Sequence, residues 1–173
     1  MIKDSVILFS SSRENGHTKK AVQEIFLEHK LPIIDLQNKN ISFFDYNSKN
    51  RHDDFIPLVE ELVKFKTLIF ASPTYWYSMC AQMKTFFDRI SDLYSFRKDL
   101  IKELENKNIF VITSYGSSKS TSFEAPFKLT SDYLKMNYHC CHYDYSGENK
   151  ELRSLNKKNR DKFLAKVKLN HSN

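Results

Sequence analysis

Along the chain, short fully apolar runs alternate with longer stretches in which apolar residues recur every three or four positions. The runs are Ser5–Phe9, Thr67–Ala71 and Asn108–Thr113, each bounded by polar or turn-forming residues and each predicting a buried strand, while Leu31–Leu36 predicts a short second strand. Tyr138–Tyr145 alternates aromatics with His and Cys and predicts a fifth strand at a sheet edge. Between these runs the spacing is helical: Ala21, Val22, Ile25, Phe26 and His29; Phe55, Leu58, Val59, Leu62 and Phe65; Met79, Met83, Phe86, Phe87 and Ile90; Phe123, Phe127, Thr130 and Leu134. Asp53 or Asp54 is placed to cap the second of these helices, and Ser122 or Glu124 to open the last. Leu93, Phe96, Leu100 and Leu104 fit either a further helix or an excursion over a site or partner subunit. A last helix begins near Asn149.

Strands alternating with helices predict a parallel sheet covered on both faces. For five strands with right-handed crossovers, the expectation is a flavodoxin-like order 2-1-3-4-5, with a ligand at the carboxyl ends of the strands, where strands one and three diverge. The 173 residues suffice for one domain with a sizeable core, expected to span 1–173. Neither a signal peptide nor a membrane-length apolar stretch is read, so a cytoplasmic location is expected.

Three segments stand out in composition, and all three follow strands. Ser10–Thr18 (SSSRENGHT) is small and polar, and it feeds a helix N-terminus. Such a terminus offers unpaired N–H groups to a phosphate, with Ser11, Ser12, Thr18, Asn15 and Arg13 as further donors. The same residues serve equally well as ordinary turn and capping groups, and neither a Walker nor a GxGxxG pattern is present. Ser72–Ile90 places Pro73, Thr74, Tyr75, Trp76, Tyr77 and Ser78 between strand and helix, with three large rings in one turn. Ser114–Lys119 is a small-residue loop with one glycine. On one sheet edge these segments suit a flat apolar ring that carries a phosphate.

Charge adds one question. The net charge is +6, and residues 149–173, with eight Lys or Arg against Glu151 and Asp161, account for all of it. Leu152, Leu155, Phe163 and Val167 favour docking of this helix on the core over nucleic-acid binding. Cys80, Cys140 and Cys141 have neither disulfide-framework nor metal-site spacing; Cys140 and Cys141 are expected as small buried strand residues, and no metal is expected.

SSSRENGHT resembles the phosphate loop GSxRxxxxT of NAD(P)H-dependent FMN reductases and related quinone oxidoreductases, and SPTYWYSMCAQMKTFFDR is similar to their SPxYxxxxxxxxKxxxDR segment. The resemblance spans roughly Val6 to Gly116, and its second motif is the more specific. It implies a flavodoxin-like fold, bound FMN, homodimers or dimer pairs, and hydride transfer from NAD(P)H through the flavin to a quinone, flavin, nitro or azo acceptor. By the same resemblance Ser11, Arg13, Asn15, His17 and Thr18 would hold the phosphate. Pro73, Thr74, Tyr75, Trp76, Tyr77 and Ser78 would contact the isoalloxazine, and Ser114, Tyr115, Gly116 and Ser117 would line its pyrimidine side. Ser10 stands where the pattern has glycine, an expected change in the turn. Hydride transfer itself requires no acid–base residue, so none is assigned. The competing reading is a flavodoxin-like electron carrier; such carriers are generally acidic, unlike this chain. Trp76 and Tyr77 remain open between the flavin, the acceptor and a dimer interface.

Overall fold

The computed structural model describes residues 2–120 and 122–170. Five parallel strands, β1 (Ser5–Phe9), β2 (Ile33–Asp35), β3 (Thr67–Ala71), β4 (Asn108–Tyr115) and β5 (Asn137–Tyr145), lie in the order β2-β1-β3-β4-β5. The order expected from the apolar runs is therefore the observed one, with β5 at an edge. All residues of β1 and β3 are buried, as expected for strands covered on both sides.

The helices are α1 (His17–Ile25), α2 (Phe55–Leu62), α3 (Ala81–Phe96), α4 (Lys98–Leu104), α5 (Ala125–Tyr133) and α6 (Lys150–Leu169). One core layer gathers Leu8, Leu58, Phe70, Met83 and Phe127 beneath α2, α3 and α5; the other gathers Ile7, Phe9, Val22, Phe110, Phe163 and Val167 beneath α1 and α6. Alternate residues of β1 thus serve opposite faces. The Leu93–Leu104 stretch resolves as helix: α3 continues to Phe96, breaks at Arg97, and α4 buries Leu100 and Leu104.

Three expectations are corrected in detail. α1 begins at His17, so the polar loop is shorter than the periodicity suggests. Of the apolar stripe of α6 read from the sequence, Phe163 and Val167 are buried, whereas Leu152 and Leu155 are exposed; the first half is held instead by buried Asn156, which donates to Asp144 Oδ1 at 3.0 Å and to the Tyr145 carbonyl at 2.8 Å. Cys140 and Cys141 lie in β5 as free, partly buried thiols. Burial, with Glu124 adding repulsion, holds both thiols protonated above their ordinary range.

The long connection from Lys39 to Asp54 is irregular and is fastened by a buried cation. Arg89, on α3, is completely buried. Its Nη1 donates to Asp53 Oδ2 at 2.5 Å and to the Ser42 carbonyl at 2.9 Å, and its Nη2 donates to Asp53 Oδ1 and the Asn50 carbonyl, both at 3.1 Å. Its Nε donates to Asp92 at 2.5 Å, and the guanidinium lies 5.0 Å from the centre of the Phe55 ring. All five guanidinium donors are satisfied, the condition for burying this group. Asp54 is the N-cap residue of α2 but makes no side-chain capping bond; the Phe55 backbone N–H donates instead to Asp53 Oδ1 at 3.0 Å, so the two aspartates divide the role.

Candidate functional site

The loops after β1, β3 and β4 meet at the carboxyl edge, as parallel topology requires. The Ser10 N–H donates to the Ala71 carbonyl at 2.9 Å, and its hydroxyl lies 3.0 Å from the Cys80 thiol. No residue from Ser10 to Thr18 has a positive φ, so serine replaces glycine in this turn without strain. Gly16 caps α1 with extended backbone and no side-chain cap, leaving the first-turn N–H groups for a ligand. Thr18 Oγ1 lies 2.7 Å from Ser114 Oγ, and Ser12 Oγ lies 2.6 Å from the Tyr75 hydroxyl. These two hydroxyl pairs tie the polar loop to β4 and to the aromatic turn.

After β3 the chain makes a two-residue hairpin. The Tyr75 N–H donates to the Ser78 carbonyl at 2.9 Å and the Ser78 N–H returns to Tyr75 at 3.1 Å. Between them Trp76 and Tyr77 have φ of 47° and 68°. Two left-handed residues in sequence are the pattern of the mirror-image hairpin turn, usually filled by Asn-Gly. Bulky residues there cost on the order of 1–3 kcal/mol each. The Trp76 ring gains nothing from the protein in return, being 93% exposed. Strain of this kind persists at sites where it serves a ligand.

The loops enclose a cavity of about 200 Å³ walled by Ser11, Arg13, Gly16, His17, Thr18, Pro73, Thr74, Tyr75, Ser114, Tyr115, Gly116 and Ser146. A neighbouring cavity of about 220 Å³ shares Thr74, Tyr115 and Gly116 and adds Trp76, Tyr77, Ser117 and Ser118. Of the residues singled out in the sequence, Ser12, Asn15 and Ser78 line neither cavity: Ser12 and Asn15 are exposed on the loop, and Ser78 closes the hairpin. Burial, helped by Tyr145 and Asp144, raises the Tyr115 phenol above its ordinary range.

Gly16, Ser146 and Gly147 were not singled out from the sequence. Ser146 donates through both its N–H, at 2.8 Å, and its hydroxyl, at 3.0 Å, to the Tyr115 carbonyl. A Cβ on Gly147 would meet the Gly116 carbonyl oxygen at 2.1 Å and the Tyr145 hydroxyl at 2.3 Å. The signal was available: Ser146-Gly147 is a small-residue pair at the carboxyl end of a fifth strand. Gly147→Ala is expected to push the Gly116 loop away from the cavity, lowering stability by about 1–3 kcal/mol, the usual cost of overpacking. A denaturation midpoint equal to wild type would show that the loop yields freely.

The donor set fits a flat ring bearing a phosphate, with uncapped N–H groups and hydroxyls at one end and backbone and aromatic faces at the other. Residues 5–142 match the family described as NADPH-dependent FMN reductase. A Bacillus subtilis (strain 168) protein named as an NAD(P)H-dependent FMN-containing oxidoreductase, YwqN, is 28% identical over 125 residues, covering 65% of this chain and 66% of that protein, just under two thirds of its length. Among solved structures, the Trp repressor binding protein from Bacillus subtilis superimposes with a TM-score of 0.69 at 17% identity, over 94% of each chain. The general stress protein 14 of Treponema denticola, solved in complex with FMN, gives 0.68 at 14% identity, over 95% of this chain and 98% of that one. At such identities the superpositions establish the flavodoxin-like fold. No helix among the described residues is long and apolar enough to cross a membrane. The family match covers the sheet from β1 into β5 together with all three loops of the site, and by it this chain belongs to the NADPH-dependent FMN reductase family.

Proposed function

We propose that the chain, as one domain over 1–173, binds FMN and oxidises NAD(P)H, passing the electrons to a flat conjugated acceptor of the quinone, flavin, nitro or azo type. The observation that carries this reading is the convergence of an uncapped helix start, a strained aromatic hairpin and a small-residue loop on one trough. FMN, when bound, accepts a hydride from the nicotinamide and delivers two electrons onward. The chain's own part is positional. Ser11, Arg13, Thr18 and the first N–H groups of α1 seat the phosphate. Pro73, Thr74 and Tyr75 support one edge of the ring, and Ser114, Tyr115 and Gly116 the other. The backbone of these loops supplies dipoles fixed before the ring becomes negative, so no reorganisation is spent when charge develops.

Trp76 and Tyr77 flank the second cavity, so the acceptor is assigned to that side. The hairpin then holds an indole in water until a flat partner covers it. Trp76→Gly is expected to leave FMN content unchanged and to raise KM for a quinone several-fold, while relief of the left-handed strain raises stability by ~1 kcal/mol. An unchanged KM would remove Trp76 from the acceptor site.

The test of the whole reading is an absorption spectrum of the purified protein after incubation with FMN, followed by steady-state NAD(P)H oxidation with a quinone. A protein that stays colourless overturns it. A yellow protein with no turnover would favour an electron carrier.

A further inference from the structure

β5 ends the sheet on one side, and a groove of about 280 Å³ runs beside its residues Cys140 to Tyr143. At the carboxyl end this edge is already occupied. The Tyr145 N–H donates to Asn156 Oδ1 at 3.0 Å, and Asn156 Nδ2 donates to the Tyr145 carbonyl at 2.8 Å. One side-chain amide thus stands where the peptide of a next strand would stand. Ser146 turns the other way, its N–H donating to the Tyr115 carbonyl of β4 at 2.8 Å. Backbone groups alternate in direction along a strand, so Cys141 and Tyr143 direct theirs to the same side as Tyr145. Among the described residues neither has a backbone partner there.

The walls of the groove are basic. Lys119 stands on one side, its ammonium 4.1 Å from the centre of the Tyr143 ring, and Lys162 and Lys166 stand on the other, one turn apart on α6. α6 runs back along β5, since Asn156 meets Tyr145 and the Phe163 ring lies 5.6 Å from that of His142. No carboxylate lines the groove, and among the described residues none pairs with these three lysines. Edges that are kept free of partners carry lysine or a bulge on the strand itself. β5, NYHCCHYDY, has no lysine, and its register shift, opposite Ile109 and Phe110, precedes the regular stretch from Cys140 to Tyr145.

We propose that this edge takes an extended acidic segment of a partner protein as a further strand. An open edge offers donors and acceptors in alternation, which another polypeptide backbone matches and a phosphate backbone, with acceptors alone, does not. The lysines select carboxylates. A second copy of this chain is disfavoured, because pairing two β5 edges would bring the same lysines together. Four residues of helix rise about 6 Å and two of strand about 6.6 Å. Acidic residues at alternate positions of the segment therefore meet Lys162 and Lys166, and the one between them faces Lys119. The groove shares no lining residue with the two cavities of the trough, so the proposal is independent of the flavin reading.

The test titrates the purified protein into a fluorescein-labelled peptide, Val-Glu-Glu-Glu-Val, by anisotropy, and follows amide hydrogen exchange with and without the unlabelled peptide. The expected result is saturable binding with slowed exchange at the Cys141 and Tyr143 amides. Lys162→Gln/Lys166→Gln should weaken binding about tenfold. Lys157→Gln/Lys158→Gln, the same charge change on the same helix but outside the groove, should keep the wild-type affinity. A peptide N-methylated at its glutamates keeps its charge, loses its donors, and should bind about tenfold more weakly. Absence of binding, or binding without slowed exchange at those two amides, overturns the proposal. Equal binding of the methylated peptide overturns it in favour of charge alone, and tighter binding of a single-stranded oligonucleotide of equal charge in favour of nucleic acid. Protection of the same amides that rises with protein concentration, without peptide, would give the edge to a second copy and overturn it as well.

Discussion

Arg89→Ala is expected to destabilise the protein by about 3–5 kcal/mol, the cost of leaving a buried ion pair with one partner missing. For a chain of this size that corresponds to a fall of about 6–20 °C in Tm. The substitution strands two buried carboxylates, Asp53 and Asp92, and removes the donors that hold the Ser42 and Asn50 carbonyls. Arg89→Lys should recover only part of the loss, because an ammonium cannot reproduce a five-donor fork. Burial works to raise the Asp53 pKa, but the hydrogen bonds from Arg89 and from the Ser42 and Phe55 N–H groups outweigh it, and the net shift is downward. A depressed carboxylate pKa gives stability that is fully present above the unfolded value, near 4, and is lost as pH falls through the folded value. Wild type should therefore lose stability below about pH 4, and Arg89→Ala should lose less of it over that range. Chemical denaturation at pH 7 and pH 3 checks both points. A loss under about 1 kcal/mol at pH 7 would mean that water reaches the carboxylates once the arginine is gone.

The second large effect is expected at Arg13. Its side chain is exposed beside the uncapped start of α1 and has no carboxylate partner among the described residues. Contact with an FMN phosphate would be a charge-assisted hydrogen bond, worth about 1.5–3 kcal/mol. Arg13→Ala should thus weaken FMN binding by about 10- to 150-fold with little change in apoprotein stability. Arg13→Lys should fall between, keeping the charge and losing the fork. Titration of free FMN fluorescence measures this directly. Unchanged affinity would detach the loop from the phosphate, whatever the enzyme's activity.

These two arginines divide the legible from the illegible. Both stand in the segments that carry the family resemblance, Arg13 in SSSRENGHT and Arg89 at the end of SPTYWYSMCAQMKTFFDR. Nothing in their spacing separates them. Arg89 is buried because the connection from Lys39 to Asp54, distant in sequence, folds over α3 and delivers Asp53 and two carbonyls to it. Spacing also failed at Leu152 and Leu155, which carry the helical stripe but stay exposed, while Asn156 is the residue that reaches inward from this half of α6. The left-handed hairpin was hidden for a related reason. Trp-Tyr is not a turn sequence, and local propensity would have placed the rings elsewhere. The turn is closed by the Tyr75–Ser78 backbone pair between β3 and α3, a contact that local propensity does not announce.

The order of strands and helices is legible in the chain alone, because burial on both faces demands short apolar runs and a covering helix demands a stripe every three to four residues. It also located the trough, since parallel strands bring all their carboxyl ends to one edge. What each exceptional residue does follows from long-range packing: which arginine faces solvent, which rings stand in water, and which cations of α6 flank the edge of β5 without a counter-charge. Those outcomes depend on contacts between residues far apart in the chain, and periodicity carries no information about a partner more than a few turns away.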